Sequence, residues 1–371
     1  MADAAAGAVR AEQSAGRTAP AVSAAHLQAY AQDRLRAAQA FPKERLLRRN
    51  LRLAKLELTA WFASEQLADA CEAKLKRHEF PDPAASQVEV YAMDATLEGW
   101  ETPATYDVAD GFSSRGFERI LAAGNYRGFY HHDAPSWQFY DRRRSVGVLT
   151  LPTPLGIPPW ETGSPLRLFL HWAYAAAGMR LTHAATLGLR GRGVLMGGQS
   201  GSGKSATTIA GLINGLESVG DDYVLVEGSQ RPMAHSVFRV LKQDRQGLRR
   251  AGVVAQDVAS ADLNWHGKVE FDAARIAAGG LADRMEIVAI LIPEIGGGRQ
   301  TEWRAATAHE AALALAPSAV FQLPGDSAEG FRFLAAIARR LPCYRVRLSQ
   351  DPGEIAGSIG SFLARESPHA G

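Results

Sequence analysis

Apolar and polar positions follow different periods along the chain, and the changes of period mark where its elements fall. Between residues 26 and 78 Ala, Leu, Lys, Arg and Glu dominate, glycine is absent, and Leu46, Leu47, Leu53 and Trp61 recur at roughly helical spacing. With Pro42 as the breaker, this predicts a helical arm of two helices across 26–80. Pro81-Asp82-Pro83 reads as a linker. Past it the period drops to two in Gln87-Val88-Glu89-Val90-Tyr91, Gly128-Phe129-Tyr130, Trp137-Gln138-Phe139-Tyr140 and Val146-Gly147-Val148-Leu149-Thr150, which predicts a small β-rich unit across 84–164. Five prolines, with Gly156 and Gly163, exclude regular structure between residues 152 and 165, and a helix follows at about 165–178. From residue 181 short apolar runs at 193–196, 223–226, 287–292 and 344–348 alternate with helical patterns, one beginning at Lys204. Strands flanked by helices predict an α/β core across 165–365, its sheet covered on its faces.

The 371 residues are 46% hydrophobic and 22% charged, an ordinary globular composition. The 41 Lys+Arg stand against 39 Asp+Glu, and a net charge of +2 argues against nucleic acid as a partner drawn by bulk electrostatics, so recognition rests on local sites. Two cysteines, Cys71 and Cys343, are too few for a disulfide framework or a four-ligand zinc site, which points to the cytoplasm. Residues 1–25 are Ala-rich with no apolar run behind a basic start, and read as a disordered tail. No apolar segment approaches the ~20 residues of a membrane span. Lys43, Arg45, Arg48, Arg49, Arg52 and Lys55, with Glu44 the single acid among them, make a basic stretch in the arm. It reads either as the solvated face of a packed helix or as a docking surface for an acidic partner.

The chemistry concentrates in Gly198-Gln199-Ser200-Gly201-Ser202-Gly203-Lys204-Ser205, which matches G-x-x-x-x-G-K-[ST]. Glycines let backbone N–H groups turn inward around phosphate oxygens, and the helix starting near Lys204 adds its positive dipole end. The expected nucleotide contacts are Gly198, Ser200, Gly201, Ser202, Gly203, Lys204, Ser205 and Ala206, with Lys204 reaching the β and γ phosphates and Ser205 ligating Mg²⁺. The context agrees: Gly193-Val194-Leu195-Met196 runs into the loop as a strand, and a helix runs out of it. Asp221-Asp222 precedes a further apolar run, and a helix turning back near Gly215 brings both acids to the phosphate side. Two adjacent carboxylates there suit a division of labour, one holding the metal and the other accepting the proton of an attacking hydroxyl. Alternation on a strand would send them to opposite faces. His183 lies on an expected strand beside the one feeding the loop, where a histidine serves either the core or the chemistry.

Taken together, these residues resemble HPr kinase/phosphorylase and the wider group of HPr-kinase-related proteins. The resemblance spans about residues 166–348 and rests on His183, the loop 198–205 and Asp221-Asp222 at matching separations. It implies a P-loop core akin to phosphoenolpyruvate carboxykinase, preceded here by the β-rich unit and the helical arm. It further implies ATP as donor, Mg²⁺ as cofactor, Asp221 as general base toward a serine-type hydroxyl, Asp222 as a metal-side partner, and His183 beside the transferring phosphate. Members that act on HPr carry a glutamate-x-arginine-glycine loop after the acidic pair, which Val226-Glu227-Gly228-Ser229-Gln230-Arg231 does not reproduce. The chain is more similar to lasso-peptide kinases, which phosphorylate a serine of a small precursor. The expected acceptor is thus a serine of a peptide or small protein, and homo-oligomerisation, known for HPr-acting members, stays open. Lys242 is a further cation for phosphate or peptide, and Arg299 and Arg304, after Gly296-Gly297-Gly298, are candidates to close over the γ-phosphate. Two other readings remain: a nucleotide-binding regulatory module without phosphotransfer, and a kinase of a small metabolite.

Overall fold

The structure is a computed structural model that describes residues 23–80, 82, 85–101, 114–253, 258, 261–277, 280–317, 323–325 and 327–366. Most of the tail expected over 1–25 lies outside them. Helix α1 (Ala24–Ala40) is capped by the Ser23 hydroxyl, which accepts from the His26 N–H at 3.1 Å. The helical arm ends there, in contrast to the expectation. Residues Lys43–Arg45 make a single 3-10 turn, and the chain then enters a hairpin of β1 (Leu47–Leu53) and β2 (Leu56–Phe62). The physical reason is a period of two hidden in a leucine-rich run. Along β2 buried and half-buried positions alternate one by one, and Lys55 takes the left-handed conformation (φ +56°) that a two-residue hairpin turn favours. Pairing to the next strand overrides helix propensity. The basic stretch therefore lies along an edge strand, with Arg49 on Glu72 at 3.1 Å, Arg52 on Glu57 at 3.2 Å and Lys55 on Asp82 at 3.0 Å. With most of its charge paired inside the chain, it no longer argues for a face that docks an acidic partner.

Helix α2 (Glu65–Glu72) follows, then β3 (Ser86–Asp94), α3 (Ser114–Ala122), β4 (Tyr126–His131), β5 (Ser136–Asp141) and β6 (Val146–Leu151). The six strands form one sheet in the order β1-β2-β3-β6-β5-β4, parallel from β2 through β3 to β6 and antiparallel elsewhere. One face buries Tyr91, Tyr130, Trp137 and Phe139 against α1 and α3. The other packs on α4 (Arg167–Ala176) through Phe169 and Trp172, and the same apolar cluster continues into Leu181, Tyr223 and Leu225 of the following unit. Helix α4 is thus a shared wall, pinned to the hairpin by the Tyr174 hydroxyl, which donates to the Ala54 carbonyl at 2.7 Å.

The second unit runs β7 (Met179–Thr182), β8 (Ala185–Leu189), β9 (Arg192–Met196), α5 (Lys204–Ile213), β10 (Val224–Glu227), β11 (Met233–His235), β12 (Val240–Gln243), α6 (Arg245–Arg250), β13 (Val269–Asp272), β14 (Arg284–Ile295), β15 (Glu302–Ala306), α7 (Ala308–Pro317), α8 (Ser327–Ala338), β16 (Cys343–Leu348) and α9 (Pro352–Glu366). The long, mostly buried β14 is the axis of an eight-stranded sheet, with β9 and β16 parallel to it and β11 antiparallel. Helices α7 and α8 cover one face through Leu315, Leu334 and Ile337, and α9 covers the other through Ile355, Ile359 and Phe362. Strands β12 and β13 pair as a separate ribbon. The whole is a mixed α/β architecture with several sheets, and no helix among the described residues is long and apolar enough to cross a membrane.

The strand that feeds the loop has little slack. Gly193 on β9 faces Gly188 on β8, and a Cβ on Gly193 would sit 2.4 Å from Met285 Sδ and 2.5 Å from the Leu187 carbonyl oxygen. Gly193→Ala is expected to destabilise the protein by about 1–3 kcal/mol in urea titration. An unchanged midpoint would show that this contact yields without cost.

Candidate active site

Strand β9 delivers the chain into the loop, and the Gly197 N–H anchors its start by donating to the Leu291 carbonyl of β14 at 3.0 Å. The turn then needs glycine twice over. Gly198 (φ +155°) would place a Cβ 2.7 Å from Ser202 Oγ, and Gly203 (φ +104°), the residue before α5, would place one 2.5 Å from Leu348 Cδ1. Gly201 is left-handed as well, and Ser200 and Gly201 are exposed at the tip. Ser205 and Ala206 are half-buried in the first turn of α5. The amides of Lys204, Ser205 and Ala206 have no backbone acceptor among the described residues, as the first turn of a helix dictates. Lys204 is buried, and its ammonium donates to the carbonyls of Gly198 at 2.7 Å and Gln199 at 3.1 Å. Burial lowers its pKa, Asp221 and Asp222 oppose this, and Lys268 adds to the lowering.

The acidic pair stands just before β10 rather than on a strand, in a bend where Asp222 is left-handed (φ +78°). This turn, not strand alternation, separates the two side chains. Asp222 Oδ1 pairs with His183 Nε2 at 3.0 Å, and its Oδ2 accepts from Lys242 Nζ at 2.9 Å. Lys242 also faces Glu270 at 3.7 Å, its direct cross-strand partner on the β12–β13 ribbon. Asp221, 3% exposed, has no hydrogen-bond partner on either carboxylate oxygen. The Ser205 hydroxyl is near enough to favour its charged form without completing a hydrogen bond.

The two carboxylates therefore differ in electrostatics. Burial pushes the Asp221 pKa up and the neighbouring Asp222 charge pushes it further, while Ser205, Lys204 and His183 offset only part. Burial also acts against the charged form of Asp222, but the Lys242 ammonium and the His183 contact outweigh it and hold that carboxyl well below its usual range. For Lys242 burial is likewise outweighed, by Asp222 and Glu270, and its pKa is raised.

His183 and several residues that the sequence did not mark complete the surroundings. His183 lies in the turn between β7 and β8, not on a strand, and packs edge-on to Tyr223 at 5.5 Å. On Tyr223 also rests buried Arg167, its guanidinium 5.4 Å from the ring centre, which donates to the Trp160 carbonyl at 2.8 Å and faces buried Glu161 at 3.5 Å. The irregular 152–165 segment thus forms a wall beside the site: a Cβ on Gly163 would lie 2.4 Å from Lys242 Cε. The signal available for Arg167 was a charge inside an otherwise apolar helix; for Glu270 it was the alternation Val269-Glu270-Phe271-Asp272. Arg299 and Arg304 are exposed, and no contact among the described residues brings either to the loop.

The residues present fit a nucleotide and its cation. The glycine cradle, the unpartnered helix amides, the buried unpartnered hydroxyl of Ser202 and the free oxygens of Asp221 are the donors and acceptors that a Mg²⁺-polyphosphate needs. No group of three or more His, Cys, Asp or Glu side chains gathers as a ready metal site among the described residues, so phosphate oxygens would supply much of the coordination.

The fold has a partial likeness to the HPr(Ser) kinase/phosphatase from Coxiella burnetii, at 11% identity over 50% of this chain and 94% of that one, with a TM-score of 0.28. No protein-family model and no curated protein matches the chain.

Two stability predictions follow from the carboxylate pair. A group whose pKa is raised on folding contributes stability below its unfolded value, ordinarily 3.8, and loses it as pH rises through the folded value. Asp221→Asn should therefore raise the urea midpoint at pH 8, with the gain shrinking toward pH 4. Equal midpoints at pH 8 would contradict the raised pKa. Lys242→Met leaves the half-buried charge of Asp222 with the His183 contact alone and is expected to cost about 1–3 kcal/mol near neutral pH. That cost should fall in acid as Asp222 takes up a proton, and a cost independent of pH would refute the pairing.

Proposed function

We propose that this chain is an ATP- and Mg²⁺-dependent phosphotransferase that moves the γ-phosphate to a hydroxyl, with a serine of a peptide or small protein as acceptor. The observation that carries the reading is the buried carboxylate of Asp221, unpartnered and with raised proton affinity, beside Lys204 and Ser205 of a glycine-cradled loop. A general base works best when its pKa is tuned toward the working pH and its lone pairs are free, and Asp221 meets both conditions. Asp222 meets neither: it stays ionised, and both its oxygens are engaged by His183 and Lys242. Its part is to fix the turn and hold His183 and Lys242 beside the reacting groups. Lys204 exchanges the two loop carbonyls for phosphate oxygens, and the amides of residues 204–206 receive the rest of the polyphosphate charge. Ser205 would hold the Mg²⁺, which when bound neutralises charge on the transferring phosphate. The choice of a serine acceptor rests on the motif resemblance.

Lys204→Ala should abolish nucleotide binding, whereas Asp221→Asn should lower turnover by about 10²–10⁴-fold and leave nucleotide affinity within about threefold. Transfer from labelled ATP to serine-containing peptides reads the first quantity, and calorimetric titration with the Mg²⁺-nucleotide reads the second. Unaltered transfer in Asp221→Asn, or a loss of Mg²⁺-nucleotide affinity equal to the loss of turnover, would remove Asp221 from the role of base.

A further inference from the structure

Between the six-stranded sheet and the acidic pair lies a buried polar cluster that the proposed chemistry does not use. Its centre is Glu161 of the proline-rich wall, 2% exposed. Glu161 Oε2 accepts from Gln138 Nε2 of β5 at 2.9 Å, and its Oε1 lies 3.2 Å from His131 Nε2 of β4 and 3.5 Å from Arg167 Nη2 of α4. Gln138 and His131 are buried as well, and the Trp160 indole N–H donates to His131 Nδ1 at 3.3 Å. Arg167 in turn donates through Nη1 to the Trp160 carbonyl at 2.8 Å and to the Ser164 hydroxyl at 3.4 Å. A carboxylate, a carbonyl and a hydroxyl of the wall thus set the direction of one guanidinium, and β4 and β5 set the carboxylate. Apolar residues of similar volume often replace a buried ion pair at no loss of stability, so this pair asks for a reason other than stability.

What the guanidinium faces supplies that reason. Its centre lies 5.4 Å from the middle of the Tyr223 ring, within the range in which a cation is drawn to an aromatic face. Tyr223, 5% exposed, stands edge-on to His183 at 5.5 Å, and His183 Nε2 meets Asp222 Oδ1 at 3.0 Å. His183 lies in the turn between β7 and β8, where no strand pairing fixes its ring, so the imidazole takes its place from the side chains packed on it. We infer that Arg167 is a positioning residue: through the Tyr223 ring it fixes the His183 imidazole against Asp222, and Glu161, held by β4 and β5, fixes Arg167. This rests on the reading of the site as a phosphotransfer centre and adds residues that no motif marks. It also gives the six-stranded sheet a part in the reaction, because a reacting group displaced by about 1 Å can cost on the order of 10²-fold in rate.

The test uses the full chain with carbon-13-labelled histidine and tyrosine rings, as wild type, as the double variant Glu161→Gln/Arg167→Met, and as Tyr223→Leu. The double substitution removes both buried charges at once, so that neither is stranded. In the wild type a nuclear Overhauser cross-peak joins the Tyr223 and His183 rings. In the double variant that cross-peak should be lost and phosphate transfer from labelled ATP to serine-containing peptides should fall about tenfold or more, while Mg²⁺-ATP affinity stays within about twofold. Tyr223→Leu should cost the same in turnover, and adding it to the double variant should cost nothing further, because the arginine acts through that ring. A cross-peak retained in the double variant, turnover within about twofold of wild type, or costs that add, overturns the inference and leaves the proposed function standing. A wild type that binds Mg²⁺-ATP and transfers phosphate to no peptide overturns the proposed function instead, and the cross-peak then decides by itself whether Arg167 fixes His183.

Discussion

Two adjacent aspartates, Asp221 buried and Asp222 half-buried, share one corner of this protein, and two negative charges cannot be drawn out of water side by side without help. The help is given to one of them. Lys242 and His183 take both oxygens of Asp222, which stays ionised, and the cost of its neighbour's charge falls on Asp221, which is left unpartnered with a raised proton affinity. This division turns a repulsive pair into one fixed anion and one carboxyl of raised proton affinity.

Much of the surrounding architecture serves that division. The left-handed backbone at Asp222 sends the two side chains to different neighbours. The β12–β13 ribbon brings Lys242 with Glu270 behind it, the β7–β8 turn brings His183, and Arg167 with Tyr223 backs the histidine from the shared helix α4. The six-stranded sheet thereby takes part in the site although none of its strands supplies a group to it. It seats α4 and the proline-rich segment whose Glu161 and Gly163 pack behind Arg167 and Lys242. The loop that carries Lys204 is fixed from the other side, by β14 and by Leu348 of β16.

Parts of this were legible in the sequence and parts were not, for physical reasons. The turn at 198–205 is legible because its left-handed backbone and close approaches demand glycine at set positions, and the sheet covered on both faces is legible because apolar runs of strand length alternate with helical ones. Residues 47–62 misled because leucine and arginine favour a helix when their pairing partner, β3, is out of view. The place of His183 was off by a turn, and the separation of Asp221 from Asp222 comes from one left-handed residue that no pattern of polarity reveals. Lys242, Glu270 and Arg167 meet the site only through tertiary contacts. Such convergence leaves no period in the sequence.

The central claim, that the burial cost of this acidic pair is assigned to Asp221 alone, is tested most directly by a carbon-13 carboxyl NMR titration of the aspartates, with Asp221→Asn and Asp222→Asn proteins used to assign the two resonances. The account predicts that Asp221 takes up a proton well above the ordinary aspartate value of 3.8, while Asp222 stays ionised well below it. Two resonances titrating together near the ordinary value, or Asp222 protonating first, would contradict it.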